Sequence, residues 1–269
     1  CLGLDAGLEG EEGDTGNQYA SGDKPDLNLP GRQQEILELA VNSGKPVVLI
    51  LLSGSALAVN WAEKHVPAII QGWYPGAEGG RILAETLFGD INPEGHLPVT
   101  FYKGTEELPA FTDYAMEGRT YRYMKQDALY PFGYGLSYTT YAYSNLTVRG
   151  EQVGEDGTDI TVTVKNTGKR TGTETVQVYI KIEKEDTPNA QLKAIRKVTL
   201  RPGEEKEVNI HLAKDAFGLC DKEGNFRTCK GEAKVYVGGQ APDRRSEELT
   251  GVKVQSVTLH TEDELLWEN

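Results

Sequence analysis

Val47-Val48-Leu49-Ile50-Leu51-Leu52-Ser53-Gly54-Ser55 decides how the first half of this chain is built. Six apolar residues run without alternation and then break at a Ser-Gly-Ser turn. A strand with one wet face alternates, whereas a strand covered by helices on both faces reads as a continuous apolar run. Upstream, Leu27-Asn28-Leu29-Pro30-Gly31 leads into a predicted helix over Gln33 to Val41, where Ile36, Leu37 and Ala40 share a face at helical spacing. Pro30 suits a helix start and Ser43-Gly44 ends it. Downstream, the Ser-Gly-Ser turn is expected to open a short helix ending near Trp61. Pro67 to Gly72 reads as the next strand, and Pro75-Gly76 precedes a helix over Glu78 to Phe88 with Ile82, Leu83 and Leu87 on one side. Cys1-Leu2-Gly3-Leu4 reads as the end of another buried strand, so the chain is expected to begin inside a domain, and the lack of a signal peptide says nothing about export. Strands alternating with helices in this way imply a parallel, helix-covered α/β layer.

After Gly89 the pattern changes. Residues 90–143 are rich in Pro, Gly and Tyr, and rings such as Tyr121, Tyr123, Phe132 and Tyr134 need apolar surface to pack on. From about Asn145 onward the sequence is all β. Ile160 to Val164 and Val176 to Ile182 alternate, as do Val208 to Leu212 and Ala233 to Val237. Turn signals at Asn166-Thr167-Gly168, Arg201-Pro202-Gly203 and Lys222 to Asn225 separate them. Short alternating strands at this spacing describe an antiparallel sandwich. The end of the chain, Thr261 to Asn269, is acidic around an apolar Leu265-Leu266-Trp267 and is read as a tail that docks or frays.

Composition narrows the function. The 269 residues carry 41 acidic and 28 basic side chains, a net charge of −13. That charge repels phosphate backbones and argues against nucleic acid as a partner, while serving solubility in any case. The longest apolar run, Pro46 to Leu52, is far below the roughly 18–20 residues of a membrane span, so no membrane partner is expected. Three cysteines, Cys1, Cys220 and Cys229, are too few for a disulfide scaffold. Cys220 and Cys229 are placed to face each other across a hairpin around Gly224, and a reduced pair favours a cytoplasmic over a secreted setting. Four scattered histidines suggest no metal site, and nothing in the sequence calls for a cofactor.

The densest chemical signal is Leu8-Glu9-Gly10-Glu11-Glu12-Gly13-Asp14, four carboxylates on a Gly-rich turn after a strand. Ligands of parallel α/β sheets bind beyond the carboxyl ends of the strands, and crowded carboxylates raise one another's pKa, which suits acid/base work. The competing reading is a solvated acidic loop. Ser53 and Ser55 lack a nucleophile elbow and a triad, so they are read as turn or N-cap residues. Gly76-Ala77-Glu78-Gly79-Gly80 lacks the Lys of a phosphate-binding loop, and close packing explains its glycines better.

Several segments, in one order and over nearly the whole chain, resemble the C-terminal part of bacterial glycoside hydrolase family three. They are Leu8 to Asp14, Asp26 to Gln33, Val47 to Ser55, Trp73 to Gly80, Leu87 to Phe101 and Tyr130 to Thr139. The β region is similar to the fibronectin type III-like domain of the same enzymes, with Val164 to Gly168 and Val237-Gly238-Gly239 in place. The resemblance implies an α/β sandwich domain over residues 1–103, N-terminally incomplete, an aromatic connector over 104–144, a fibronectin type III-like β-sandwich over 145–255 and a tail over 256–269.

It also implies part of a retaining exo-β-glycosidase, a β-glucosidase that removes terminal β-D-glucosyl residues, with a β-xylosidase or mixed specificity as the alternative. A non-catalytic carbohydrate-binding module is the reading from another class. In such enzymes a nucleophilic Asp lies on a TIM-like barrel, and the α/β sandwich domain lends the acid/base Glu. That role maps to Glu11, with Glu12 as runner-up because it intervenes where the family often has Gly, and Glu9 becomes a neighbour that tunes the site. The Arg that commonly follows the Asp of this loop is missing, since Thr15 follows Asp14. No Ser-Asp dipeptide of the nucleophile motif occurs either, so the chain alone is expected to be inactive. The implied partners are a β-glucoside or oligosaccharide and a barrel on another chain or on a further stretch of the same polypeptide. A homo-oligomeric state stays open.

Overall fold

A computed structural model of the chain describes residues 1–9 and 24–267. It divides into two compact units. One comprises Cys1–Ile91, Val99–Arg119 and Gln126–Tyr130; the other comprises Asn92–Pro98, Thr120–Lys125 and Pro131–Asn269. The region read as a connector therefore supplies residues to both.

The first unit holds the parallel sheet expected from the apolar run. β1 (Leu2–Gly3), β2 (Val48–Leu52) and β3 (Ala68–Gln71) pair in that order, in parallel. Leu49, Ile50 and Leu51 are buried, as a strand covered on both faces requires. Gly3 passes so close to β2 that a Cβ there would lie 1.9 Å from the Leu52 carbonyl oxygen. On its other side Gln33 acts as a stand-in strand: its Oε1 accepts the Gly3 N–H and its Nε2 donates to the Gly3 carbonyl, each at 2.8 Å.

Among the described residues, helices α1 (Ala6–Glu9), α2 (Gln33–Asn42), α3 (Asn60–His65) and α4 (Gly79–Phe88) accompany the sheet. Leu37 packs inward from α2, but Ile36 does not share its burial and is 55% exposed. The helix expected directly after Ser55 begins only at Asn60. The intervening residues drive Leu57 and Val59 into the core, and the Ala58 N–H donates to the Leu27 carbonyl at 2.7 Å, which removes them from any helix. The N-cap position of α3 is Val59, so neither Ser53 nor Ser55 caps it. α4 stops at Gly89, whose φ of +78° closes the helix through its N–H to the Glu85 and Thr86 carbonyls. Past α4, Phe101 is buried and meets Trp73 and Tyr130 edge-on, each at 6.3 Å between ring centroids.

The second unit includes a single helical turn, α5 (Thr120–Tyr123), and is otherwise mostly β. Its first five strands are β4 (Tyr141–Val148), β5 (Thr158–Asn166), β6 (Gly172–Ile182), β7 (Gln191–Leu200) and β8 (Glu205–Leu212). They are followed by β9 (Leu219–Cys220), β10 (Phe226–Thr228), β11 (Gly231–Gly238), helix α6 (Arg244–Thr250), β12 (Gln255–Thr261) and β13 (Glu264–Trp267). Sheets β12-β11-β6-β7 and β4-β5-β8 enclose the core, and β13-β10-β9 forms a smaller third sheet. All pairings between these strands are antiparallel.

Residues set apart as a tail contribute two of these strands. Leu259 and Thr261 of β12 turn inward against β11, and Trp267 of β13 stacks on Phe226 at 5.4 Å. Alternating Val257, Leu259 and Thr261 carry that signal, diluted by Thr258 and His260 between them. Cys220 pairs in register with Phe226, while Cys229 lies beyond the end of β10, so the two thiols do not face each other.

The alternation of β6 predicts a wet outer face, yet Gln177 and Tyr179 are buried. The Pro131-Phe132-Gly133-Tyr134-Gly135 stretch explains this. Gln177 Nε2 donates to the Gly133 and Gly239 carbonyls, both at 2.9 Å, and the Tyr179 hydroxyl donates to Gln177 Oε1 at 2.6 Å. Gly133, at φ +79°, has no room for a Cβ, which would fall 2.3 Å from the Tyr179 hydroxyl. Tyr121 stacks on Phe132 at 4.1 Å and meets Tyr179 edge-on. The turn at Asn166 is held likewise: this fully buried amide donates to the Arg170 and Leu200 carbonyls and accepts from the Thr139 hydroxyl and the Gly168 N–H.

Candidate active site

The carboxyl ends of β1, β2 and β3 bring three short segments together. After β1, Asp5 Oδ1 accepts the N–H groups of Gly7 and Leu8, both at 2.9 Å, and so starts the turn of α1 that ends on Glu9. This is N-cap chemistry on a very short helix. After β2, the Ser53 hydroxyl is fully buried and donates to the Ser55 carbonyl at 2.9 Å, which fixes the turn. After β3, Trp73 adopts φ +53°, a conformation uncommon for a non-glycine residue, and Tyr74 follows it.

These segments converge on the Glu9 carboxylate. Oε1 accepts the Gly54 N–H at 2.6 Å and the Tyr74 hydroxyl at 2.7 Å, and Oε2 accepts the Ser55 hydroxyl at 2.9 Å. Burial alone would raise its pKa. The bonds from Tyr74, Ser55 and Gly54, with Lys24 nearby, outweigh burial and hold it below the ordinary carboxylate range. Burial and the bond to Glu9 in turn push the Tyr74 phenol up to about 12. Gly54 must be glycine, because a Cβ would lie 2.9 Å from the Tyr74 ring and 3.2 Å from Glu9 Oε1. Lys24 Nζ is buried with no hydrogen-bond partner among the described residues, and burial lowers its pKa against the pull of Glu9 and Asp26.

Chemically, Glu9 is a fixed anion. A carboxylate satisfied by three donors is a poor proton donor and a good source of negative field. Glu11 and Glu12, expected as the acid/base and its runner-up, and Asp14 lie outside the described residues. Ser53 and Ser55, read as turn or N-cap residues, serve the turn and the Glu9 carboxylate. Nothing in the sequence marks Tyr74 or Lys24 as a neighbour of Glu9. The sequence hint was Gly54, a small residue in the turn that follows a buried strand, where backbone and ligand groups come close. Of the glycines of Gly76-Ala77-Glu78-Gly79-Gly80, read as closely packed, Gly79 is, with Pro75 where its Cβ would be, but Gly76 and Gly80 have open space there, and Gly76 serves instead through its φ of +70°.

A match to the glycosyl hydrolase family 3 C-terminal domain spans residues 1–138, and a match to a fibronectin type III-like domain spans residues 174–241. The chain belongs to glycosyl hydrolase family 3. Among its relatives, a xylan 1,4-β-xylosidase of Xylanibacter ruminicola is 39% identical over 255 residues, which is 93% of this chain and 29% of that protein. A periplasmic β-glucosidase of Salmonella typhimurium is 33% identical and covers 83% of this chain and 31% of its own length. Among solved structures, a β-glucosidase from Erythrobacter marinus superposes with a TM-score of 0.81 at 32% identity, over 97% of this chain and 34% of its own. The chain thus spans about a third of the length of these relatives. The expected α/β layer followed by a fibronectin type III-like domain is the architecture of this family match.

Proposed function

We propose that this chain is the acid/base-bearing part of a retaining exo-β-glycosidase acting on terminal, non-reducing β-D-glucosyl residues, and that Glu11 carries the proton. The observation behind this reading is the anchored Glu9. A carboxylate held ionised at the carboxyl ends of parallel strands, two residues from Glu11, is the kind of neighbour that raises another carboxyl's pKa. A group so raised can protonate a leaving glycosidic oxygen and then deprotonate the attacking water. The retaining mechanism needs a second carboxylate about 5–5.5 Å away as nucleophile. We assign that group to a barrel outside this chain.

The experiment uses the complete enzyme, this chain together with the barrel. Glu11→Ala should slow turnover of poor leaving groups on the order of 10²–10⁴-fold, and spare the first step for an activated aryl glycoside. Azide should then rescue the second step by attacking the glycosyl-enzyme without a base. Glu12→Ala should cost far less. Leaving-group dependence and azide rescue in Glu12→Ala alone would move the proton by one residue. Their absence from both variants would leave the loop a solvated one and sink the catalytic reading.

A β-xylosidase is the second reading, favoured by the 39% identity to a xylan 1,4-β-xylosidase. The ratio of kcat/KM for aryl β-D-glucosides and β-D-xylosides decides between them.

A further inference from the structure

We propose that the loop over residues 110–119 of the first unit is a carbohydrate-contacting surface, on which the Tyr114 ring stacks against one pyranose of a neutral polysaccharide chain. The ligand class rests on the glycosidase reading above, but the loop uses none of the residues that carry that reading.

Residues 111–117 are exposed without a break. A loop with so little of itself buried is ordinarily loose. This one is built around the Arg119 guanidinium. Its Nη2 donates to the Ala110 and Asp113 carbonyls at 3.1 and 2.6 Å, and its Nε donates to the Ala115 carbonyl at 3.2 Å. Asp113 Oδ1 accepts the Ala115 N–H at 2.9 Å. The Arg119 N–H closes back onto the Met116 carbonyl at 3.0 Å, across Gly118 at φ +74°. The Tyr114 ring enters none of these bonds and is 90% exposed, while Phe111 and Met116 are half-exposed. The backbone is thus held from within, and its largest apolar side chains are left facing solvent. A ring presented on a fixed backbone loses little conformational freedom when it is covered, which is what a contact surface needs.

Size and charge select the occupant. One exposed ring and two half-exposed side chains offer on the order of 400 Å². That is about half of the roughly 800 Å² each partner gives to a stable protein interface. A second copy would also bring its own net charge of −13 to a loop that already carries Asp113 and Glu117. An anionic polymer meets the same repulsion. A neutral pyranose meets neither objection. It is about as large as one aromatic ring, and its C–H face suits the negative face of the phenol ring. Its hydroxyls are donors for acidic side chains of the loop.

The test is affinity electrophoresis of the whole chain through gels containing mixed-linkage β-glucan or neutral arabinoxylan, with carboxymethylcellulose as the charged comparator. At least one neutral polymer should retard the native chain. Tyr114→Ala should weaken that binding about three- to tenfold and Tyr114→Phe should retain it, because the ring and not the hydroxyl makes the contact. Tm should be unchanged in both, since the loop is held without the ring. Glu11→Ala should be retarded as the native chain is, so this proposal and the catalytic reading fail separately. The proposal falls if neither neutral polymer retards the chain, if Tyr114→Ala is retarded equally, or if carboxymethylcellulose retards the chain more strongly. It also falls if the native chain sediments as a dimer that Tyr114→Ala dissociates, or if adding the barrel abolishes retardation, since either result would make the loop a protein interface.

Discussion

In the sandwich unit, Ile160, Val162 and Val164 of β5 and Val176, Val178 and Ile180 of β6 are at most 2% exposed and join one cluster with Leu212, Phe217 and Leu259. In the α/β unit, α2 buries Leu37 but leaves Ile36 and Leu39 at 55% and 69% exposure, and α4 ends on Phe88 at 84%. The sandwich is held by apolar packing. The α/β unit relies visibly on polar tethers: Gln33 grips the Gly3 backbone, and Glu9 joins the ends of all three strands. Tethers fix a few atoms accurately at modest net energy, about 1 kcal/mol each, whereas burial of large side chains supplies more energy with less positional control. A site that must hold a carboxylate in place suits the first kind of construction.

The largest effect should come from the packed core. Phe217→Ala is expected to cost about 3–5 kcal/mol, the usual price of deleting a fully buried ring. Ile36→Ala on exposed α2 should stay within about 0.5 kcal/mol. Urea unfolding followed by hydrogen exchange resolves the two units separately. Comparable losses from both substitutions would mean that α2's apolar face is covered and that the contrast is wrong.

A smaller effect should come from the tethers. Gly54→Ala forces a methyl against the Tyr74 ring and Glu9, at a cost of about 1–3 kcal/mol. The Tyr74 phenol, held at about 12 by burial and Glu9, should titrate lower once that contact opens. Ultraviolet titration of the phenol reads this directly, and exchange protection in the sandwich should not change. An unaltered Tyr74 titration would show that the tether adapts to the methyl.

How much of this was legible in the sequence depended on range. The unbroken apolar run at Val47 to Leu52 announced a parallel strand covered on both faces, because that signal is local. The turn at Asn166-Thr167-Gly168 and the change of pattern at Gly89 were legible for the same reason. Lys24 and Tyr74 were not legible as neighbours of Glu9, since 15 and 65 residues separate them from it and only the three-strand register joins them. Gln177 and Tyr179 misled for a related cause: an alternating strand looks half-wet until a distant segment, here around Gly133, covers its outer face. The delayed start of α3 had a local signal that the Ser-Gly-Ser turn masks: Leu57 and Val59, both buried, stand two apart, the spacing of an extended stretch rather than of a helix face.

The finest comparison is between two carboxylates, one in each unit. Hydrogen bonds hold Glu9 below its ordinary pKa, so its stabilising contribution is present above the unfolded value of about 4.3 and is lost as pH falls through the lower folded value. Burial raises Glu174, so its contribution is present below about 4.3 and is lost as pH rises through the higher folded value. Glu9→Gln should therefore destabilise most near neutral pH, with a penalty that shrinks toward pH 3. Glu174→Gln keeps the shape and the acceptor for Tyr143 but cannot ionise, so relative to the native chain it should gain stability from pH 3 to pH 7. Each difference should be about 1 kcal/mol or less, the net worth of one hydrogen bond. The measurement is Tm of each variant minus Tm of the native chain at matched pH: for both, the native chain is the reference whose carboxylate titrates. The Glu9→Gln difference should become more negative as pH rises, and the Glu174→Gln difference more positive. Slopes of the same sign would mean that one carboxylate is not in the environment described for it, and the pH at which each slope levels off identifies which.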